Sequence, residues 1–218
     1  ALMTDRSGVL WVGSYGGGVL RLVDGKFRNV DPGGHVFPAP YIRAIVQDSA
    51  GAVWVGSQGG LARYTGGAWE TFTADGALAP NIVFSLHADG DGTLWIGTYS
   101  RGLYRYRDGR FRAIRKADGL FDDVVYAVLD DGLGYYWMSS NKGISRVREE
   151  DLHGFADGRL TAVVSRSYGV ADGMTSAECN GATQPAGWRA RDGRLFFPTV
   201  KGLASLRPDA MRANPSPP

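Results

Sequence analysis

Short apolar runs, many of them alternating with polar residues, follow one another along the chain, and Gly-bearing turns cut them into short pieces. Residues 41–47 (YIRAIVQ) are apolar and β-branched, and a tight Asp-Ser-Ala-Gly turn follows at 48–51. Residues 53–56, 61–64 and 69–73 continue the pattern, separated by Gln58-Gly59-Gly60 and Thr65-Gly66-Gly67. Alternation over such lengths predicts strands. The turn glycines supply the positive φ that tight hairpins need. Four strands in sequence, then a longer loop over 74–81, make one antiparallel meander. No stretch shows a helical stripe with caps.

The meander repeats. The phrase Gly-x-(Leu/Val)-Trp-(Val/Ile)-Gly-(Ser/Thr) occurs at 8–14, 51–57 and 92–98, with a weaker copy at 134–140 and a diverged one at 193–199. Its aromatics are Trp11, Trp54, Trp95, Trp137 and Phe196, spaced by 43, 41, 42 and 59 residues. Asp5, Asp48 and Asp89 each precede a Trp by six positions, and Phe27, Trp69 and Phe111 keep the same period. A period of 40–45 residues with four strands and a Trp signature is the propeller pattern. The expected fold is therefore all-β, a β-propeller of four-stranded antiparallel blades in about five repeat units, read as part of a larger array. The units run over about 1–39, 40–80, 81–121, 122–175 and 176–213, with 214–218 a Pro-rich exit linker. The fifth unit lacks a clear fourth strand. The fourth holds an insertion expected to extend its outer hairpin, with an alternating run over 160–168. The Trp and the Phe/Trp positions are expected to wedge between blades, and Gly13, Gly56 and Gly97 to permit close backbone approach.

The phrase D-x-x-G-x-L-W-V-G-(S/T)-x-x-G-G-L-x-R, best seen over 48–64, with Asp118-Gly119-Leu120 before the next strand, resembles the two-component regulator propeller repeats. The stretch from Asp172-Gly173-Met174 through Glu178-Cys179-Asn180 to Gly202 resembles the last repeat of such a propeller. The resemblance implies a non-catalytic ligand-sensing module on the periplasmic or extracytoplasmic side of a bacterial receptor. The ligand would be a small molecule or oligosaccharide. Its partners would be the rest of the receptor chain (immunoglobulin-like domain, membrane helix, and a histidine kinase or diguanylate cyclase output), with room for a homodimer. Two alternatives stay open: an enzyme similar to streptogramin B lyase, which needs a His base and a metal, and a protein-interaction scaffold.

Gly supplies 32 of 218 residues, about twice its average usage, but irregularly, which excludes a collagen repeat. The formal charge is only +2, so neither disorder nor nucleic-acid binding is expected. No apolar run is long enough to enter a membrane. Cys179 is the only cysteine, which excludes an internal disulfide, and it reads as a small buried hydrophobe.

Phosphate loops, dinucleotide fingerprints, H-E-x-x-H and nucleophile elbows are absent from the sequence. His35, His87 and His153 fall at different places in their units, so no metal site and no cofactor is expected. The Asp turns read as carboxylates bonding their own turn amides rather than calcium ligands. Arg105, Arg107, Arg110 and Arg112 alternate along one outer hairpin and read as a solvated edge face. Ligand chemistry is expected in the loops joining strand two to three, whose frame is fixed and whose tips vary: Tyr15, Gln58, Tyr99, Arg101, Asn141, Lys142 and Lys201. The loops entering each new blade add Glu178 and Asn180, with His35, Phe37, Phe121 and Asp122. Tyr for stacking and amide or charged tips for hydroxyls suit a glycan.

Overall fold

A computed structural model describes residues 1–31, 36, 39–72, 82–181 and 183–211. His35, Phe37, the Asp75-Gly76 pair and the 214–218 segment lie outside the described residues.

Five antiparallel sheets follow one another along the chain. Blade 1 holds β1 (Leu2–Thr4), β2 (Leu10–Gly13), β3 (Val19–Val23) and β4 (Lys26–Asn29). Blade 2 holds β5 (Ile42–Gln47), β6 (Val53–Ser57), β7 (Gly60–Thr65) and β8 (Ala68–Thr71). Blade 3 holds β9 (Val83–Ala88), β10 (Leu94–Thr98), β11 (Leu103–Arg107) and β12 (Arg110–Ile114). Blade 4 holds β13 (Ala127–Asp130), β14 (Tyr135–Ser140), β15 (Gly143–Arg148), α1 (Glu149–Ala156) and β16 (Arg166–Tyr168). Blade 5 holds β17 (Trp188–Arg189), β18 (Leu195–Thr199) and β19 (Gly202–Leu206), three strands among the described residues. The first strands of successive blades pack side by side around a common axis.

A lone meander can bury one face at most, and radial packing buries both. Trp11 packs on Ile42 and Val55, Trp54 on Val83 and Ile96, Trp95 on Val128 and Met138, and Trp137 on Leu195 and Phe197. Each Trp thus seals the seam to the following blade. Burying an indole of this kind contributes roughly 4–6 kcal/mol of transfer free energy. Close approach needs the strand glycines: a Cβ on Gly13 would press into Ile42, and one on Gly56 into Val83. The outer Phe/Trp positions wedge only in part: Trp69 donates its N–H to Val30 O at the end of blade 1 at 2.9 Å, and Phe111 meets the Phe72 ring at 5.4 Å. Phe27 is exposed and Trp69 and Phe111 are half-buried, because strand four lies at the rim.

The Asp six residues before each Trp has a double task. One oxygen accepts the indole N–H: Asp5 from Trp11 at 2.8 Å, Asp48 from Trp54 at 2.7 Å, Asp89 from Trp95 at 2.8 Å, and Asp131 from Trp137 at 2.8 Å. In Asp5, Asp48 and Asp131 the other oxygen accepts amides of the β-turn. Blade 5 has Ala190 and Phe196 at these positions, so the acceptor and the donor are missing together.

The end blades differ from the inner ones. The residue opening strand three is fully buried in blades 1–3 (Val19, Leu61, Leu103), 1% exposed as Ile144, and 62% exposed as Leu203 in blade 5. On the opposite face, Ile45 is 1% exposed and its blade 1 counterpart Leu2 is 64% exposed. Both outer faces of the array are uncovered.

The fourth-blade insertion departs from the expected extended hairpin. It forms the helix α1, and β16 is only three residues long. Glu149, Glu150 and Asp151 sit in the first turn, where the helix dipole favours them, and Leu152 and Phe155 share the buried side. Two turns are too short to raise a readable helical period. The helix lies over blade 3, so the arginine face expected to be solvated is partly covered. Arg105 is buried and pairs with Asp157 at 2.6 Å, and Arg112 lies 5.5 Å from the centre of the Phe155 ring. Arg107 bonds Asp91 at 2.9 Å.

Candidate functional site

The loops joining strands two and three, and those entering each new blade, lie on one face and are tied by backbone bonds. Ile42 N–H donates to Ser14 O, Val125 N–H to Thr98 O, and Cys179 N–H to Ser140 O, at 2.9–3.1 Å. The Ser or Thr ending strand two thus anchors the next blade. Its hydroxyl also clamps the hairpin: Thr98 Oγ1 donates to Gly102 O at 2.8 Å and accepts from Arg101 N–H at 3.1 Å. A fixed frame therefore carries the variable tips. Asp118 and Asp172 close the entry loops, each accepting a backbone N–H three residues upstream at 2.8 Å before a left-handed glycine.

Four of the expected site residues converge where blades 3, 4 and 5 meet. Tyr126 is their centre. Its hydroxyl donates to Asn141 Oδ1 at 2.8 Å, and its ring stands 5.1 Å from Phe84, which in turn meets Tyr99 at 5.7 Å. Lys142 pairs with the buried Asp122 at 3.0 Å. The segment carrying Glu178 and Asn180 runs against this ledge, since a Cβ on Gly181 would enter the Tyr126 ring. Burial pushes the Tyr126 hydroxyl above its ordinary range, the Asn141 bond opposes this, and Tyr99, Glu178 and Asp122 add to the rise. The group is a neutral phenol at physiological pH. The ledge presents the half-exposed Tyr99 ring, backed by the buried Phe84 and Tyr126 rings, with an amide and an ion pair at its rim.

Tyr15 and Gln58 form a second locus around Tyr41. Tyr15 stacks on Tyr41 at 4.3 Å with Arg43 5.6 Å from its ring centre, and Gln58 N–H donates to Tyr41 O at 3.1 Å. Arg101, Asn180 and Lys201 share the same face, but their side chains join neither cluster among the contacts found. Cys179 is buried, and burial pushes its thiol up to about 11.

Below the ledge lies an axial cavity of about 350 Å³, lined by Ala44, Ser85, His87, Tyr126, Gln184 and Trp188 among others. Gln184 crosses it. Its Oε1 accepts Ile45 N–H at 3.0 Å and its Nε2 donates to Ile45 O at 3.1 Å, so the amide imitates a neighbouring strand. Ser85 Oγ is buried at this wall without a hydrogen-bond partner.

Tyr126, Phe84 and Gln184 were missed because they sit on inner strands or in an irregular segment. Tyr126 and Phe84 share one repeat position, 11 residues before the signature Trp, but blade 2 has Arg43 there, so no period marks it. The Trp–Arg pairs were missed too. Arg21, Arg63, Arg105 and Arg146 face the signature Trp across strands two and three, and three of them stack on it at 4.7–5.3 Å. An Arg nine or ten residues after each Trp was the readable signal. The histidines are less scattered than expected: His87 bonds Asp89 at 3.0 Å, and the His153 ring meets Trp95 at 5.2 Å, so both come to the blade 3–4 seam.

Radial four-stranded blades sealed by Trp wedges, with a cavity on their axis, define a β-propeller module. Residues 37–59 and 77–100 match the two component regulator propeller family. In fold it is similar to the extracellular domain of BT3049 from B. thetaiotaomicron, a protein assigned to the hybrid two component systems. The TM-score is 0.77 at 21% identity, over 96% of this chain and 27% of that one. The extracellular domain of BT4673 from the same organism, assigned likewise, gives 0.64 at 16% identity, over 97% of this chain and 36% of that one. Virginiamycin B lyase from Staphylococcus aureus gives 0.63 at 15% identity, over 94% of this chain and 68% of that one. The chain therefore spans about a quarter to a third of the first two structures. No curated protein matches it. Among the described residues no helix is long and apolar enough to cross a membrane.

Proposed function

We propose that this chain is a non-catalytic ligand-sensing part of a bacterial transmembrane receptor, exposed on the periplasmic side. The ledge around Tyr126 would take an oligosaccharide, and the signal would pass to a kinase or diguanylate cyclase elsewhere in the receptor. The observation that carries the reading is the convergence of Tyr99, Phe84 and Tyr126 with Asn141 and the Lys142–Asp122 pair. Aromatic faces stack on sugar rings, and amide and charged tips bond hydroxyls. The family match at 37–59 and 77–100 supports the receptor setting, as does the likeness to two extracellular receptor domains. A ligand transmits only if it binds one arrangement of the blades better than another, and a site shared by three blades meets that condition in form.

The test is calorimetric titration with a panel of plant and host oligosaccharides. At least one should bind saturably, and Tyr126→Ala and Asn141→Ala should each weaken it about tenfold or more, since a buried bond of this kind contributes about 1–3 kcal/mol. Asp24→Ala, on a turn of the opposite face, should leave binding unchanged. Binding that ignores both ledge variants sinks the proposal.

The uncovered faces of blades 1 and 5 support a further reading, that the array is one part of a larger propeller. Adding one more repeat after residue 211 should then bury Leu203, which hydroxyl-radical footprinting reads directly. Unchanged Leu203 reactivity counts against it.

A further inference from the structure

On the face opposite the ledge, α1 crosses from blade 4 onto blade 3 and brings Glu149 and His153 to Asp89. One donor atom from each of the three lies within 4.8 Å of the others. Glu149 and His153 are four residues apart on one side of the helix, with His153 Nε2 3.9 Å from Glu149 Oε1. We propose that Asp89, Glu149 and His153 form a binding site for a divalent transition-metal cation that ties α1 to blade 3.

Asp89 is set up for this differently from its counterparts. In blade 3 the turn amide of Thr93 bonds Asp91 Oδ1 at 2.9 Å, so Asp91 takes over the turn task. Asp89 Oδ1 is thereby free to accept Tyr136 O–H at 2.5 Å and His87 Nε2–H at 3.0 Å, while Oδ2 keeps Trp95. Three donors from two blades fix this carboxylate, the kind of outer support that orients a metal ligand. Glu149 has no such support: its recorded side-chain partner is His153. Two carboxylates facing one imidazole are an excess of negative charge that a cation would neutralise.

The geometry requires little movement. Donors around a four-coordinate zinc lie about 3.4 Å apart, given bond lengths near 2.1 Å. Shifts of about an ångström, taken mainly by the more exposed Glu149, reach that spacing. Ligation through Nε2 puts the ring proton on Nδ1, so the 3.4 Å Arg105 Nη1–His153 Nδ1 contact, in which Arg can only donate, is given up, while Arg105 Nη2 keeps its 2.6 Å bond to Asp157. One imidazole and two carboxylates suit Zn²⁺ or Mn²⁺ better than Ca²⁺, which takes six to eight oxygens. A fourth position would open toward the neighbouring cavity of about 410 Å³ lined by Tyr135, Arg148 and Glu150.

The experiment is titration of EDTA-stripped chain with Zn²⁺, Mn²⁺ and Mg²⁺, followed by calorimetry and by thermal melting. The expected result is one saturable Zn²⁺ or Mn²⁺ site per chain, with a rise in Tm. Glu149→Gln and His153→Ala should each weaken binding about tenfold or more and abolish the rise. Glu178→Gln, on the opposite face, should bind like the parent. Glu149→Gln is nearly isosteric and decides the matter if His153→Ala does not fold. Absence of a saturable site, tighter binding of Mg²⁺ than of the other two, or parent-like affinity in Glu149→Gln would overturn the proposal.

Discussion

Blades 2 and 3 start from the same parts and use them differently. Each has an Asp, a Trp six residues on, and an Arg facing that Trp across the sheet. In blade 2 the polar bonds stay mostly within the blade: Asp48 holds its own turn and Trp54, and Arg63 lies 5.3 Å from the centre of the Trp54 ring, pairs with Glu70 and reaches blade 3 only through a 3.5 Å bond to Tyr106 Oη. In blade 3 they are turned outward. Asp91 relieves Asp89 of its turn bond, Asp89 reaches Tyr136 of blade 4, and Arg105 bonds Asp157 beyond α1 while His153 meets the Trp95 ring. One added Asp and an eight-residue helix thus turn a repeat whose polar bonds are mostly internal into a junction. The lesson is that the frame residues of a repeat keep their fold role with part of their bonding capacity, and the remainder is open to specialisation.

The largest expected effect bears on that contrast directly. Trp54→Ala should cost about 3–5 kcal/mol by denaturant unfolding, the range for removing a buried aromatic. Trp95→Ala should cost at least as much and should also release α1, visible as loss of amide protection over 149–156. If α1 stays protected, the junction does not depend on the blade 3 wedge.

Next in size are the strand glycines. Gly56→Ala meets the Val83 side chain, which can turn aside, whereas Gly97→Ala also meets Val125 O at 2.7 Å. Overpacking costs about 1–3 kcal/mol, and Gly97→Ala should fall at the upper end. Equal costs would mean that the blade 3–4 seam yields as readily as the blade 2–3 seam.

The third prediction concerns pH. The Arg105 and Arg159 hydrogen bonds hold the Asp157 carboxyl below its ordinary value. A depressed carboxyl contributes stability that is complete above its unfolded pKa and is lost as pH falls through the folded one. Hydrogen exchange should therefore show α1 loosening below about pH 4, earlier than β7 of blade 2. In Asp157→Asn the acid dependence of α1 should flatten. The smallest effect is expected for Glu70→Ala. Its pair with Arg63 is exposed, and such pairs contribute about 0.2–1 kcal/mol.

The blade frame was legible because its constraint is periodic. Trp11, Trp54, Trp95 and Trp137 fill one kind of seam, so selection for that seam writes the same residue at the same spacing. Tyr99, Asn141, Lys142 and Glu178 could be named because they interrupt a fixed frame. Tyr126 could not, since it stands just before β13 at a position that is Phe84 in blade 3 but Arg43 in blade 2, so the repeat does not keep its residue type. Helix α1 stayed hidden because two turns with Leu152 and Phe155 look like any short apolar alternation. The convergence of His87 and His153 on the blade 3–4 seam was hidden for a different reason. It arises from a helix crossing a blade boundary, and the distance between residues 87 and 153 in sequence carries no trace of it.

Gln184 has a consequence for the order of events in folding. Every β-hairpin of the array closes over a few tens of residues at most, but the amide bonds to Ile45 join positions 139 residues apart. Closing a flexible loop of that length costs about 1 kcal/mol more than closing a 40-residue one. Once blades 3 and 4 stand between its ends, the intervening chain is no longer flexible and most of that entropy has already been lost. The strand-like grip of Gln184 on blade 2 therefore forms late, on a scaffold that others have built, and slow closure of the axis should lag behind the appearance of sheet structure.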